Sequence, residues 1–124
     1  MGLMQAVGVD IIEIERIEMA ITRWGERFLK RVYTEREADL CQNRVASLAA
    51  RFAAKEAATK ALGISMRGLS WQEIETLADS YGKPVVYLHG KAQSRAEEIG
   101  LKELSVSLSH SRGLAIASVI GELV

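Results

Sequence analysis

The sequence predicts a single α+β domain, residues 1–124, in which an antiparallel sheet packs around a central helix in the order βααββαββ. Three observations predict it. Segments with a two-residue apolar period lie near both ends of the chain, a long alanine-rich stretch with helical character sits between them, and two pairs of apolar runs are joined by short glycine-containing turns. At 124 residues, one hydrophobic core is the expected solution.

Residues 5–12 alternate Val7, Val9 and Ile11 against Gly8, Asp10 and Ile12. This is a strand period with a carboxylate on one face, and the strand is expected to end around Asp10. Beyond it, Ile14, Ile17, Ile21 and Trp24 recur at helical spacing, and Gly25 is placed as a left-handed stop. The segment 26–33 predicts a short turn of helix, and Thr34 with Glu37 makes a capping box that opens a further helical piece. The stretch 45–62 is the central helix, terminated by Gly63. A strand is expected over 71–77, a turn containing Gly82 and the single proline, Pro84, and a second strand over 85–88. Residues 90–100 predict a short surface helix between glycines. A second hairpin closes the chain, with Leu104, Val106, Leu108 and His110 facing one way.

Composition narrows the function classes. The 48% hydrophobic and 26% charged content belongs to an ordinary globular protein, and no apolar run approaches the ~18 residues of a membrane span. Residues 1–10 lack the basic start and cleavage site of a secretory signal, and Ala6 stands where a myristoylation motif at Gly2 wants Ser or Thr, so a cytoplasmic location is expected. Cys41 is the single cysteine, which excludes an internal disulfide and a cysteine-based zinc site built from one chain. Sixteen basic residues balance sixteen acidic ones, which argues against a general nucleic-acid binder.

The chemistry concentrates on the central helix. At ~100° per residue, Glu56 lies on the same stripe as Val45, Ala49, Phe52, Ala53 and Lys60, so its carboxylate faces inward. An i,i+4 ion pair with Lys60, worth about 0.3–0.5 kcal/mol, is one account of it. The other is a metal ion shared with a second carboxylate, since a buried carboxylate needs a cation or a full set of donors. Asp10 is the candidate second ligand, with the N-cap of the following helix as its alternative role. Two oxygen ligands completed by water and phosphate suit Mg²⁺. Arg51, Lys55 and Lys60 on the same helix are candidate phosphate partners, joined by Gly82, Lys83 and Pro84 in the hairpin turn and by His110 with Ser111 at a strand end. A turn explains the first group and a structural histidine the second nearly as well. Arg16 and Arg23 lie on one flank of the first helix, with Arg27 close behind; they form either a solvated face or a dock for an acidic protein.

Taken together, "GVD" near the start, "RFAAKEAATKALG" in the middle, "GKP" in the hairpin and "SLSHS" near the end resemble the stand-alone holo-[acyl-carrier-protein] synthases, over residues 7–120. The F-x-x-K-E-A core with its second lysine is the specific part. The resemblance implies a 4'-phosphopantetheinyl transferase-like fold and a Mg²⁺-dependent transfer of the phosphopantetheine arm of coenzyme A to a serine of acyl carrier protein, releasing adenosine 3',5'-bisphosphate, in fatty acid biosynthesis. It also implies a homotrimer with active sites between subunits. On that resemblance Asp10 and Glu56 hold Mg²⁺, and Lys60 binds the diphosphate. Arg51, Lys55 and His110 then meet the diphosphate or the ribose phosphate, and Gly82, Lys83 and Pro84 line the adenine end. Arg16, Arg23 and Arg27 dock the acidic carrier protein. The base for the partner's serine is a water on the metal or a carboxylate such as Glu37. Two rival classes are a non-catalytic oligomeric module that binds an acidic protein and another Mg²⁺-dependent nucleotide enzyme.

Overall fold

The computed structural model of the protein describes residues 4–124, so Gly2, the position of the myristoylation reading, lies outside the described residues. Strand β1 (Met4–Glu13) is followed by four helices, α1 (Ile14–Trp24), α2 (Glu26–Val32), α3 (Glu35–Cys41) and α4 (Val45–Leu62). The hairpin β2 (Ile74–Ala78) and β3 (Pro84–Leu88), helix α5 (Gly90–Ile99) and the hairpin β4 (Leu101–Ser111) and β5 (Leu114–Leu123) complete the chain. The α+β class and the central helix are as expected. The order differs in one respect: the two short pieces after α1 are helices in their own right, so four helices rather than two separate β1 from β2.

Two antiparallel sheets form, one with strand order β1-β5-β4 and one with β2-β3. Strand β5 is central in the larger sheet, pairing Asp10 of β1 with its Ala117 and Val106 of β4 with its Val119. One face of this sheet lies on α4, which explains why the helix is so rich in alanine. Its Leu48, Ala49, Ala50, Ala53, Ala54, Ala57, Ala58, Ala61 and Leu62 are all buried, so α4 is enclosed on most sides rather than on one stripe. The closest approach is to β1. A Cβ on Gly8 would stand 1.9 Å from the Ala57 carbonyl oxygen and 3.0 Å from the Ala61 nitrogen, so the strand backbone crosses the helix where only glycine fits. Helix α4 ends as expected at Gly63, in the left-handed region at φ 69°, where the Gly63 and Ile64 amides donate to the Lys60 and Thr59 carbonyls.

Local chemistry accounts for the remaining boundaries. The Thr34–Glu37 capping box opens α3. Strand β1 continues three residues past the expected end at Asp10, because Ile11, Ile12 and Glu13 keep pairing with Ile116, Ala115 and Leu114. Asp10 is therefore inside the strand and does not cap α1, whose N-cap is Glu13 with no side-chain bond. Residues 71–73 form a 3-10 turn rather than the start of a strand, since Ser70 and Glu73 make a second capping box there. On the outer face of the larger sheet, Val7, Val9, Ile11, Ile116 and Ile120 are exposed, a continuous apolar surface across β1 and β5.

Candidate active site

The contact between β1 and α4 brings Asp10, Glu56 and Lys60 together. Lys60 does not pair with Glu56, one turn away on its own helix. Its Nζ donates to the Val9 carbonyl at 2.9 Å and stands 3.3 Å from Asp10 Oδ1, with the Lys60 side chain 55% and the Asp10 side chain 21% exposed. Glu56 is half-buried, and its pKa is raised, first by partial desolvation and then by the charge of Asp10, with Lys60 acting in the opposite direction. Two carboxylates thus stand near one lysine that pairs with Asp10 alone, a site with an excess of negative charge. No group of three His, Cys, Asp or Glu side chains comes together among the described residues. The donor set is two anionic oxygens, which fits a hard divalent cation that keeps water or phosphate oxygens in its other positions.

A groove of about 490 Å³ gathers Arg51 from α4, Gly82 and Lys83 from the β2–β3 turn, Pro84 from the start of β3 and His110 from β4. The turn is held by Asp79, a residue that sequence reasoning missed. Its carboxylate accepts from the Tyr81 and Lys83 amides at 2.8 and 2.9 Å, while Gly82 adopts φ 83°. Arg51 is half-buried, with Nε donating to the Thr76 carbonyl at 3.2 Å and Nη1 to the Ser47 carbonyl at 3.4 Å. A cation held by backbone carbonyls while it lines a groove is prepared for an anion. A more voluminous depression, about 1020 Å³, lies elsewhere, between α2 and α3, and none of these residues lines it.

Arg16 and Arg23 share a shallow depression on α1 with Met19 and Trp24, and the Arg23 guanidinium lies 4.9 Å from the centre of the Trp24 ring. Arg27 lies in an adjoining groove of about 590 Å³ that also contains Trp24, Phe28, Phe52 and Trp71. Phe52 and Trp71 stack at 4.7 Å between centroids. The basic ridge is therefore interleaved with aromatic surface, and Phe52 stands one helical turn before Glu56.

Residues 6–118 match the model of the 4'-phosphopantetheinyl transferase superfamily. The chain belongs to this superfamily. Within it, the chain is similar to the holo-[acyl-carrier-protein] synthase of Herpetosiphon aurantiacus, with 53% identity covering 95% of this chain and 98% of the relative. Among solved structures, the synthase of Helicobacter pylori in complex with coenzyme A superposes with TM-score 0.85 at 34% identity, covering 93% of this chain and 98% of that one. The Chronobacterium ammoniagenes synthase–coenzyme A complex gives 0.87 at 31% identity, covering 98% of both chains.

Three positions of this phosphopantetheinyl transferase chain differ from expectation. Lys55 is not in the groove. It is wholly buried, and its ammonium is committed to Glu37 Oε1 at 2.8 Å, the Trp71 carbonyl at 3.0 Å and the Ile74 carbonyl. Burial pulls its pKa down and Glu37 opposes that shift. Glu37 is equally buried and accepts from the Thr34 and Thr76 amides as well, so it has no access to a partner's serine and is not the base. Ser111 lies beyond the groove, beside the Arg112–Gly113 turn and opposite Leu114; strand alternation turns it away from the face of His110.

Proposed function

We infer that this chain is a holo-[acyl-carrier-protein] synthase: it transfers the 4'-phosphopantetheine group of coenzyme A to a serine of apo acyl carrier protein. The observation that carries this reading is the near full-length match to such synthases at 53% identity, with an acidic pair and a basic groove that each take one charged residue, Glu56 and Arg51, from α4. In the reaction, the serine Oγ of the carrier protein forms a bond to the phosphorus bearing the pantetheine arm. The phosphoanhydride bond breaks, adenosine 3',5'-bisphosphate leaves with the electron pair, and the serine proton passes to a base.

Asp10 and Glu56 are the residues that would hold Mg²⁺, and the excess negative charge of the pair supports that assignment. When bound, the ion supplies neutralisation of charge on the diphosphate. Lys60, already held beside Asp10 by the Val9 carbonyl, turns its remaining donors to the diphosphate oxygens. Arg51, Lys83 and His110 line the groove that receives the phosphates, with Gly82 and Pro84 at the adenine end. Arg16, Arg23 and Arg27, set among Trp24 and Phe52, form the dock for the acidic carrier protein. The exposed apolar sheet face supports association into a homotrimer with sites between subunits. No helix among the described residues is long and apolar enough to cross a membrane. An acyl carrier protein substrate supports a role in fatty acid biosynthesis in the cytoplasm.

An intact-mass assay with an apo acyl carrier protein and coenzyme A tests this. A gain of one phosphopantetheine on the carrier in the presence of Mg²⁺, abolished by a chelator, is the expected result. No gain with several carrier proteins would overturn it, and a gain that survives chelation would remove the metal.

A further inference from the structure

Glu37 and Lys55 are both 0% exposed, and no step of the transfer uses either. Each makes one bond to the same strand, β2. Lys55 Nζ donates to the Ile74 carbonyl and Glu37 Oε2 accepts from the Thr76 amide at 2.8 Å, so the pair grips β2 at two successive points on one edge. The ammonium's three donors and both carboxylate oxygens are occupied, which makes the grip rigid rather than adaptable. The Thr76 carbonyl, part of the strand so held, accepts from Arg51 Nε at 3.2 Å. Arg51 and Lys55 are i and i+4 on α4 and so project from the same helix face.

We propose that the buried Glu37–Lys55 pair is a positioning device for the coenzyme A groove: by clamping β2 to α4 it fixes the Thr76 carbonyl that orients the Arg51 guanidinium. Stability alone does not account for the pair, because two desolvated charges seldom outperform apolar side chains of the same volume. Orientation of a groove-lining cation does account for it. The proposal rests on the groove being the coenzyme A site.

A double-mutant cycle on coenzyme A affinity, measured by titration calorimetry with circular dichroism of every variant, tests it. Glu37→Gln is expected to weaken binding about tenfold, with kcat at saturation within about twofold of the parent. Added to Arg51→Ala, it should cost less than about a further twofold, whereas added to His110→Ala, on a different sheet, it should cost its full tenfold. Equal losses in both backgrounds, or no loss in the parent, would overturn the proposal. Unchanged affinity of Arg51→Ala alone would instead remove the reading of the groove. Should Glu37→Gln fail to fold, Glu37→Gln with Lys55→Met, which leaves no unpaired buried charge, serves in the same cycle with the same two outcomes.

Discussion

Lys60 reaches across from α4 to Asp10, 3.3 Å away on β1, and leaves Glu56 on its own helix without that partner. The carboxylate pair is thus held together by the fold and not by a counter-charge of its own. Replacing Glu56 by glutamine removes a ligand and relieves repulsion at once. Glu56→Gln is expected to lower transfer at least 100-fold while its melting temperature in metal-free buffer stays equal to or above that of the parent. The raised folded-state pKa fixes the sign: the folded protein binds the Glu56 proton more tightly than the unfolded chain, so this group's penalty on stability is present at neutral pH and is relieved as pH falls through that pKa. Thermal melts of both proteins at neutral and mildly acidic pH, with parallel mass assays, check the two halves.

Position 8 tolerates nothing but glycine. Gly8→Ala would place a methyl 1.9 Å from the Ala57 carbonyl oxygen, and a loss of about 3 kcal/mol is expected as strand and helix separate. Urea denaturation measures it directly.

Glu73 joins two elements. Its carboxylate accepts from the Ser70 amide and, at the start of α5, from the Lys91 and Ala92 amides. Desolvation works against the charge, but these backbone donors outweigh it and hold the pKa below the usual carboxylate value. Glu73→Gln is expected to cost about 1 kcal/mol at neutral pH, the typical worth of a cap. The difference from the parent should shrink as pH falls from the ordinary carboxylate value of 4.5 through the lowered one, since a depressed carboxylate contributes its stability only while ionised. Denaturation midpoints of both proteins between pH 7 and about pH 3 give the curve.

Charge reversal on the arginine ridge separates docking from chemistry. Arg16→Glu with Arg23→Glu should lower kcat/KM for carrier protein by at least tenfold and flatten its salt dependence, with coenzyme A affinity unchanged. Stopped-flow or discontinuous mass assays at two ionic strengths distinguish this from a loss of fold.

The apolar outer sheet face gives a size prediction. If the proposed trimer forms through this face, the parent elutes as a trimer and Ile116→Glu, on an exposed position of the central strand, as a folded monomer, as read by light scattering coupled to size exclusion.

How far the sequence reveals this molecule differs from feature to feature. The helix at Val45–Leu62 with its Gly63 stop, the Thr34–Glu37 box and both hairpins are legible because each depends on neighbours a few residues apart. The 3-10 turn at Trp71–Glu73 carries the same signal, Ser70 followed by Glu73, but Trp71 and Ile74 draw attention to strand propensity instead. Lys55 is harder. Nothing adjacent to it distinguishes a groove cation from a buried one, and its partner is 18 residues away on a helix whose cap already explains Glu37. Asp10 resembles a cap for the opposite reason: strand pairing with Ile116, Ala115 and Leu114 extends β1 beyond it, and that pairing depends on the far end of the chain.

The larger sheet has a consequence for how the protein is made. Its central strand, β5, is the last to leave the ribosome, and among the described residues it is the only strand hydrogen-bonded to β1. Until Leu114–Leu123 emerges, the strand bearing Asp10 has no ladder and α4 lacks part of its cover. The nascent chain must therefore carry its alanine-rich helix incompletely enclosed from the completion of α4 until β5 is made, and the joining of β1 to β5 is a slow, sequence-distant event. The strand that bears Asp10 is locked in place only when β5 pairs with it.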